Sequence, residues 1–316
     1  MRSRSLDLVR FIYMLIICLW HTGWVESLCK GYSPVEFFFL TSGFFLYRLS
    51  EKATSIPCYF KSRLKRLYPA YIISLILYVV LLSENYRVLD FIYELSLVQD
   101  FVHVVGMNSV NRVVWYVSVL LWAGLLTFIV LRFTKNTVIL LLTAICLYCC
   151  ILGLYGNFDD TFVDFGIIHI PFWRGFAGLI LGAVLAQTHT HINYSHENPK
   201  SMYLLGVMGV IAFALSLVLM FLPYETEFLS LFCYCIIILA CMSCRDVFSK
   251  VDLELPDITY EMFLLHLLVI KVAVKILDMI GLLDMVILKY ITYFILLVVI
   301  SYLFNRVVKC LMSRIL

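Results

Sequence analysis

The sequence predicts an all-α protein: a polytopic integral membrane bundle of about ten transmembrane helices, with both termini cytoplasmic. Three observations predict it. Hydrophobic residues make up 63% of the 316 residues and charged residues only 14%, with a mean hydropathy of +0.98, whereas soluble domains carry about 25% charge. The apolar residues fall into runs of bilayer length, roughly 20 residues per helix. The basic residues gather on alternate sides of those runs. Little length is left over, so the chain reads as one transmembrane domain, 1–316, with no separate soluble domain. A net charge of +3 gives no reason to expect a nucleic acid partner.

Taken in order, the expected spans are 8–26, 34–49, 67–83, 112–132, 136–154, 166–187, 202–222, 228–244, 258–278 and 286–307. The stretch 84–111 is mixed in character and predicts an external loop with an interfacial helix. With the N-terminus inside, sixteen Lys and Arg fall at inner ends and loops, among them Arg2, Arg48, Lys52, Arg132, Lys135, Arg245 and Lys250. Four fall outside: Lys30, Arg87, Arg112 and Lys289. That bias is the positive-inside pattern and requires an even number of spans. The outer loops are acidic instead, with Asp159, Asp160 and Asp164 in one and Glu225 and Glu227 in another. The expected address is the cell (inner) membrane, multi-pass, with no cleavable signal after the first run. The eleven cysteines read as free thiols packed in helices. Cys146-x-x-Cys149 and Cys241-x-x-Cys244 have metal or redox spacing, but no nearby His or second pair completes a site, so no metal is expected.

The first span carries the anomaly. In "LVRFIYMLIICLWHTG" Arg10 stands near the inner edge and His21 beyond the midplane. Eleven residues make three turns plus ~20°, so both share one face, ~16 Å apart along the axis. Ionisable groups in a span face a bundle interior or a wet cavity. Arg10 either snorkels to the interface or lines such a cavity. His21 is either a hydrogen-bonded core histidine or a neutral imidazole that can act as general base. Before the third span, "YFKSRLKRLYPAY" puts Lys61, Arg63, Lys65 and Arg66 at a helix N-terminus. They set topology, and they also make an anion site in which Arg63 and Arg66, at i,i+3, share a face.

Read together, "LDLVRFIYMLIICLWH", "SPVEFFFLTSGFFLYRL", "FKSRLKRLYPAY", "WYVSVLLW", "FWRGFAGLILGAVLA" and "ITYEMFLLHLLVI" resemble the membrane acyltransferase-3 family, in order and over nearly the whole chain. The most specific parts are Arg-x10-His (Arg10, His21), Phe-Phe-x-x-Ser-Gly-Phe (Phe38 to Phe44) and Arg-x-x-Arg (Arg63, Arg66). The resemblance implies a ten-helix O-acyltransferase, most often an O-acetyltransferase. Its donor is cytoplasmic acyl-CoA, here acetyl-CoA, and its acceptor a hydroxyl of a surface polysaccharide or lipid-linked glycan. On that reading Arg63 and Arg66 dock the coenzyme phosphates, Arg10 lines the donor path and His21 is the catalytic base, with an acyl-His intermediate as the variant.

Other residues are weighed beside these. Glu36 either orients His21 or is a solvated loop-end acid. Ser42-Gly43 lets helices pack closely. Arg174, in the sixth span, needs an anionic partner or a wet cavity and is a candidate acceptor contact. His266, in the late "YEMFLLHLLV" element, either meets substrate or makes a helix-packing hydrogen bond. Trp115 either stacks on a sugar or anchors the span in the aromatic belt. Two departures stand out. Val114 occupies a position where the family often has a polar residue. The chain also ends after the tenth span, with no extracytoplasmic hydrolase-like domain. Membrane lipid is the expected surroundings. The rival reading is a membrane exporter of a glycan or lipid, with Arg10 and His21 in a permeation path.

Overall fold

The computed structural model describes residues 3–52, 54–82, 87–99, 109–158, 164–165, 168–195, 199–244, 258–282 and 284–315. Arg2, Asp159, Asp160, Arg245 and Lys250 lie outside them. Within these residues the chain is almost wholly helical. The helices are α1 (Arg4–His21), α2 (Pro34–Ser50), α3 (Ile56–Leu82), α4 (Val88–Leu95), α5 (Trp115–Phe133), α6 (Thr137–Tyr155), α7 (Ile170–Ser195), α8 (Pro199–Leu219), α9 (Glu227–Ser243), α10 (Thr259–Met279) and α11 (Val286–Ile315). A two-residue hairpin, β1 (Asp164–Phe165) and β2 (Ile168–His169), precedes α7.

Each of the ten expected spans coincides with a long helix, and α4 is the expected helix of the 84–111 stretch. Among the described residues, six helices are long and apolar enough to cross a membrane: α3, α5 with its preceding 3-10 turn, α6, α7, α8 and α11. The others fall short for a physical reason. Helices α2 and α9 have 17 residues each, and α1 and α10 carry Arg4, Asp7, Arg10 or Glu261, Lys271, Lys275, Asp278.

Boundaries moved in three places. Helix α1 stops at His21 rather than at residue 26: the Thr22 hydroxyl donates to the Leu19 carbonyl (2.6 Å) and Gly23 takes φ +66°. His21 is therefore the last helical residue, not one inside a longer span. Helix α3 begins at Ile56, so Arg63 and Arg66 sit in its second and third turns. They have left the N-terminus whose free N–H groups were expected to help bind an anion. The paired strands Asp164–Phe165 and Ile168–His169 stand where the sixth span was expected to start.

Helix α7 is the hub, packed on α2, α5, α6 and α9, with 94% of its apolar window buried. Small residues make this possible. A Cβ on Gly43 would lie 2.0 Å from the Leu179 carbonyl oxygen, and one on Gly182 would lie 2.1 Å from that of Leu40. Backbones of α2 and α7 thus touch, as the Ser-Gly pair predicted. The outer shell is apolar on its exposed side: Val138 and Ile139 on α6, Val210 and Ile211 on α8, Ile287 and Ile295 on α11. Water would penalise so large an apolar surface, and lipid does not.

The α4 segment is more than interfacial. Tyr68 and Tyr71 hydroxyls donate to the carbonyls of Leu95 and Glu94 (2.6 and 2.5 Å), while Ser118 and Trp122 both donate to that of Leu97 (2.6 and 2.8 Å). Its Glu94 carboxylate accepts from the Val110 and Asn111 backbones (2.5 and 2.9 Å). These bonds tie it into the bundle beside α3 and α5.

Residues assigned to one side of the membrane gather at one end of the bundle. Glu51 meets Lys135 (2.5 Å), Arg132 donates to Thr54 O (2.6 Å) and Ser3 donates to Cys241 O (2.8 Å). At the other end Lys30 meets Glu227 (3.0 Å) and Tyr290 donates to Trp24 O (3.0 Å). All eleven cysteines are free thiols, though Cys146, Cys149 and Cys150 are exposed on α6 rather than packed inside.

Candidate active site

One face of α1 builds the site. Asp7, Arg10, Met14 and Ile17 recur at helical spacing and line a cavity of about 540 Å³. That volume falls among ligand sites, about 300–1,000 Å³. Helix α2 contributes Phe38, Ser42 and Phe45; α3 contributes Tyr59, Arg63 and Arg66; α5 contributes Tyr116; α10 contributes Tyr260, Glu261 and Phe263. Three cations, Arg10, Arg63 and Arg66, thus line one space. The Arg10 guanidinium lies 3.5 Å from Asp7 and its buried Nε has no hydrogen-bond partner. Arg63 lies over the Tyr59 ring at 5.3 Å.

Two histidines stand just beyond the other end. His21 Nδ1 meets the carbonyl of Ile17 (2.9 Å), and His266 Nδ1 meets that of Phe263 (2.8 Å). Both acceptor residues line the cavity. The rings are 4.8 Å apart and edge-on. A carbonyl can only accept, so each Nδ1 carries the proton and each neutral ring keeps its lone pair on Nε2. That is the tautomer a general base needs. His21 is half-buried. His266 is fully buried, and its Nε2 has no hydrogen-bond partner among the described residues. The Nδ1 bond stays within α10, three residues back, and is not the helix-to-helix bond expected of His266.

Arg10, Arg63 and Arg66 therefore line one cavity, and His21 and His266 are hydrogen-bonded to two residues of its wall, Ile17 and Phe263. Glu36, Arg174 and Trp115 form a second cluster. Glu36 is 1% exposed, which overturns the solvated-acid reading. One carboxylate oxygen accepts from Arg174 Nε and the other from the Tyr148 hydroxyl (2.5 Å). Its bonds thus go to Arg174 and Tyr148 instead of orienting His21. Arg174 also donates to the Phe158 carbonyl and lies over the Trp115 ring at 5.6 Å. The anionic partner that Arg174 required is Glu36. Phe39 separates the clusters, packing on Trp115 at 6.2 Å and Tyr116 at 4.8 Å. Trp115 is half-buried between Phe39 and Arg174 and does not line the cavity that holds Arg10, Arg63 and Arg66.

Sequence reasoning missed several members of the site. Nothing in the sequence singled out Tyr59, Tyr260 or Glu261, which line the cavity with Tyr116. Their signal was weak: each is one polar tip at a helical position facing α1. Glu261 is placed by Asn305 of α11, whose amide donates to it (2.6 Å), a pairing across 44 residues that no local pattern announces.

An all-helical, largely apolar bundle around a cavity lined by three arginines, with two histidines hydrogen-bonded to its wall, is the architecture of a membrane group-transfer protein. The family model described as "Acyltransferase domain" matches residues 3–306. The chain therefore belongs to that family, the acyltransferase-3 family of multi-pass membrane acyltransferases. It is also similar to a protein of Acidianus two-tailed virus named "Putative acetyltransferase ORF330", with 28% identity over 260 residues, 75% of this chain and 73% of the viral one. No solved structure matches the chain.

Proposed function

We propose that the protein is an integral membrane O-acyltransferase of ten spans with cytoplasmic termini. It moves acetyl from cytoplasmic acetyl-CoA to a hydroxyl of a surface glycan or its lipid-linked precursor. The observation that carries the proposal is the cavity itself: cations line it, and so do Ile17 and Phe263, the residues to which the two histidines are hydrogen-bonded. Arg63 and Arg66 take the phosphates of the donor, Arg10 lines the arm, and the thioester lies toward His21. Nε2 of His21 accepts the proton of the acceptor hydroxyl as its oxygen attacks the thioester carbonyl carbon. The tetrahedral intermediate collapses, the C–S bond breaks, and the imidazolium returns the proton to the departing thiolate. The products are the O-acetyl ester and free CoA. Helix α1 ends at His21, and the negative end of a helix favours the imidazolium formed on the way.

The test supplies membranes with radiolabelled acetyl-CoA and measures label in the glycan fraction. Wild type transfers label, and His21→Ala loses it by about 10²–10⁴-fold while keeping its thermal stability. Transfer by His21→Ala at the wild-type rate removes His21 as base. Absence of transfer with acetyl-CoA and longer acyl-CoAs returns the exporter reading.

A further inference from the structure

A second cavity, about 320 Å³, lies beside the first and shares Phe45, Arg63 and Arg66 with it. Its remaining walls are Arg48, Leu49 and Lys52 from the end of α2, and Ser62 from α3. Four cations, Arg48, Lys52, Arg63 and Arg66, therefore surround one space. None of the four makes an ion pair among the described residues, whereas Arg10, Lys30, Arg87, Lys135 and Arg174 each do. Like charges held together repel, so such a cluster without carboxylates favours an anion at its centre.

Arg48 is held in place from behind. His189 Nε2 meets the Met242 carbonyl (3.0 Å), so that nitrogen carries the proton and Nδ1 is left as an acceptor. Nδ1 then accepts from Arg48 Nη2 (3.2 Å). The guanidinium also lies over the Phe44 ring at 4.9 Å. A fixed guanidinium loses less freedom on binding and suits the oxygens of a phosphate.

Resting on the donor reading above, we propose that this second cavity is a phosphomonoester subsite that takes the terminal ribose phosphate of the CoA donor. Arg48 and Lys52 recognise that phosphate, and His189 is the positioning residue for Arg48. Arg63 and Arg66, in the wall between the cavities, hold the diphosphate, and the larger cavity takes the thiol-bearing arm. A phosphomonoester carries about −1.5 to −2 charge at neutral pH, so the added pair of cations meets a nearly matching charge. Arg48 and Lys52 thereby make the protein selective for CoA thioesters over thioesters that lack the terminal phosphate.

The experiment titrates CoA, 3′-dephospho-CoA and pantetheine into the purified full chain in neutral detergent, by calorimetry. Wild type binds CoA at least tenfold more tightly than dephospho-CoA. Arg48→Gln with Lys52→Gln abolishes that ratio: CoA falls to the affinity of dephospho-CoA, which itself is unchanged. Lys52→Arg keeps the ratio, and His189→Phe lowers it without changing dephospho-CoA binding. Melting temperatures identify any variant that misfolds, and Lys52→Gln alone, at an exposed position, then carries the test. A ratio that survives the double substitution overturns the subsite while leaving the donor reading intact. Wild type that binds none of the three ligands overturns both. Loss of binding to phosphatidylglycerol vesicles in the double variant, with the CoA ratio kept, assigns the cations to lipid headgroups and overturns the subsite.

Discussion

At the end of the bundle that holds Lys30 and Arg174, buried charges sit against counter-charges; at the end that holds Arg48 and Arg66, cations stand open around two cavities. Lys30 meets Glu227 at 3.0 Å, and Arg174 meets Glu36. Across the bundle, Arg48, Lys52, Arg63 and Arg66 have no ion pair among the described residues. The first arrangement locks helices together, because a buried charge without its partner is costly. The second leaves charge available, because accessible cations are hydrated until an anion arrives. The same residue type, arginine, is structural at one end and recognitional at the other, and the carboxylate beside it makes the difference.

The sharpest way to break this contrast is at Arg174. Arg174→Met leaves Glu36 buried and unpaired, which costs about 3–5 kcal/mol. Thermal unfolding in detergent should fall steeply, and Glu36→Gln added to Arg174→Met should recover part of it. An Arg174→Met protein as stable as wild type would place that pair outside the structural class. Arg63→Ala with Arg66→Ala should behave oppositely. Hydrogen bonds to charged groups contribute about 1.5–3 kcal/mol, so donor affinity should drop tenfold or more. Stability should shift by only about 0.5 kcal/mol, as at other accessible sites. Equal losses in affinity and stability would erase the distinction between the ends.

The smallest effect concerns Glu94, outside the spanning helices. Burial pushes its carboxyl up to about 7, against the Asn111, Val110 and Ser109 donors that favour the ionised form. An acid whose pKa is raised on folding binds more protons folded than unfolded. Its contribution to stability is present at low pH and declines as pH rises from about 4.5 to about 7. The melting temperature should drift down by a few degrees across that window, and Glu94→Gln should remove the drift. A drift that persists in Glu94→Gln belongs to another group.

Much of the fold was legible because lipid imposes a simple rule: backbone polar groups must be satisfied within each segment, so apolar runs become helices. Each of the ten runs overlaps a helix, and six of the described helices are long and apolar enough to cross a membrane. Boundaries were less legible where capping decides them. Thr22 and Gly23 end α1 at His21 although the run continues to Trp24 and Val25. Of the site, Arg10, His21, Arg63 and Arg66 were visible because a cation or imidazole within or beside an apolar run is expensive and therefore conspicuous. Arg48 and Lys52 were hidden among charges that also orient the chain. His189 gave no signal at all, since its partners are 141 and 53 residues away.

The sequence by itself determined the all-helical class, the ten apolar segments and the shared face of Arg10 and His21, because hydropathy and a 3.6-residue period act locally. Only the tertiary structure decided that Glu36 would serve Arg174, that His266 would stand 4.8 Å from His21, and that four cations would surround one space. Those outcomes depend on which helices pack side by side, and the Gly43 and Gly182 contacts that bring α2 onto α7 settle part of that order through close backbone approach.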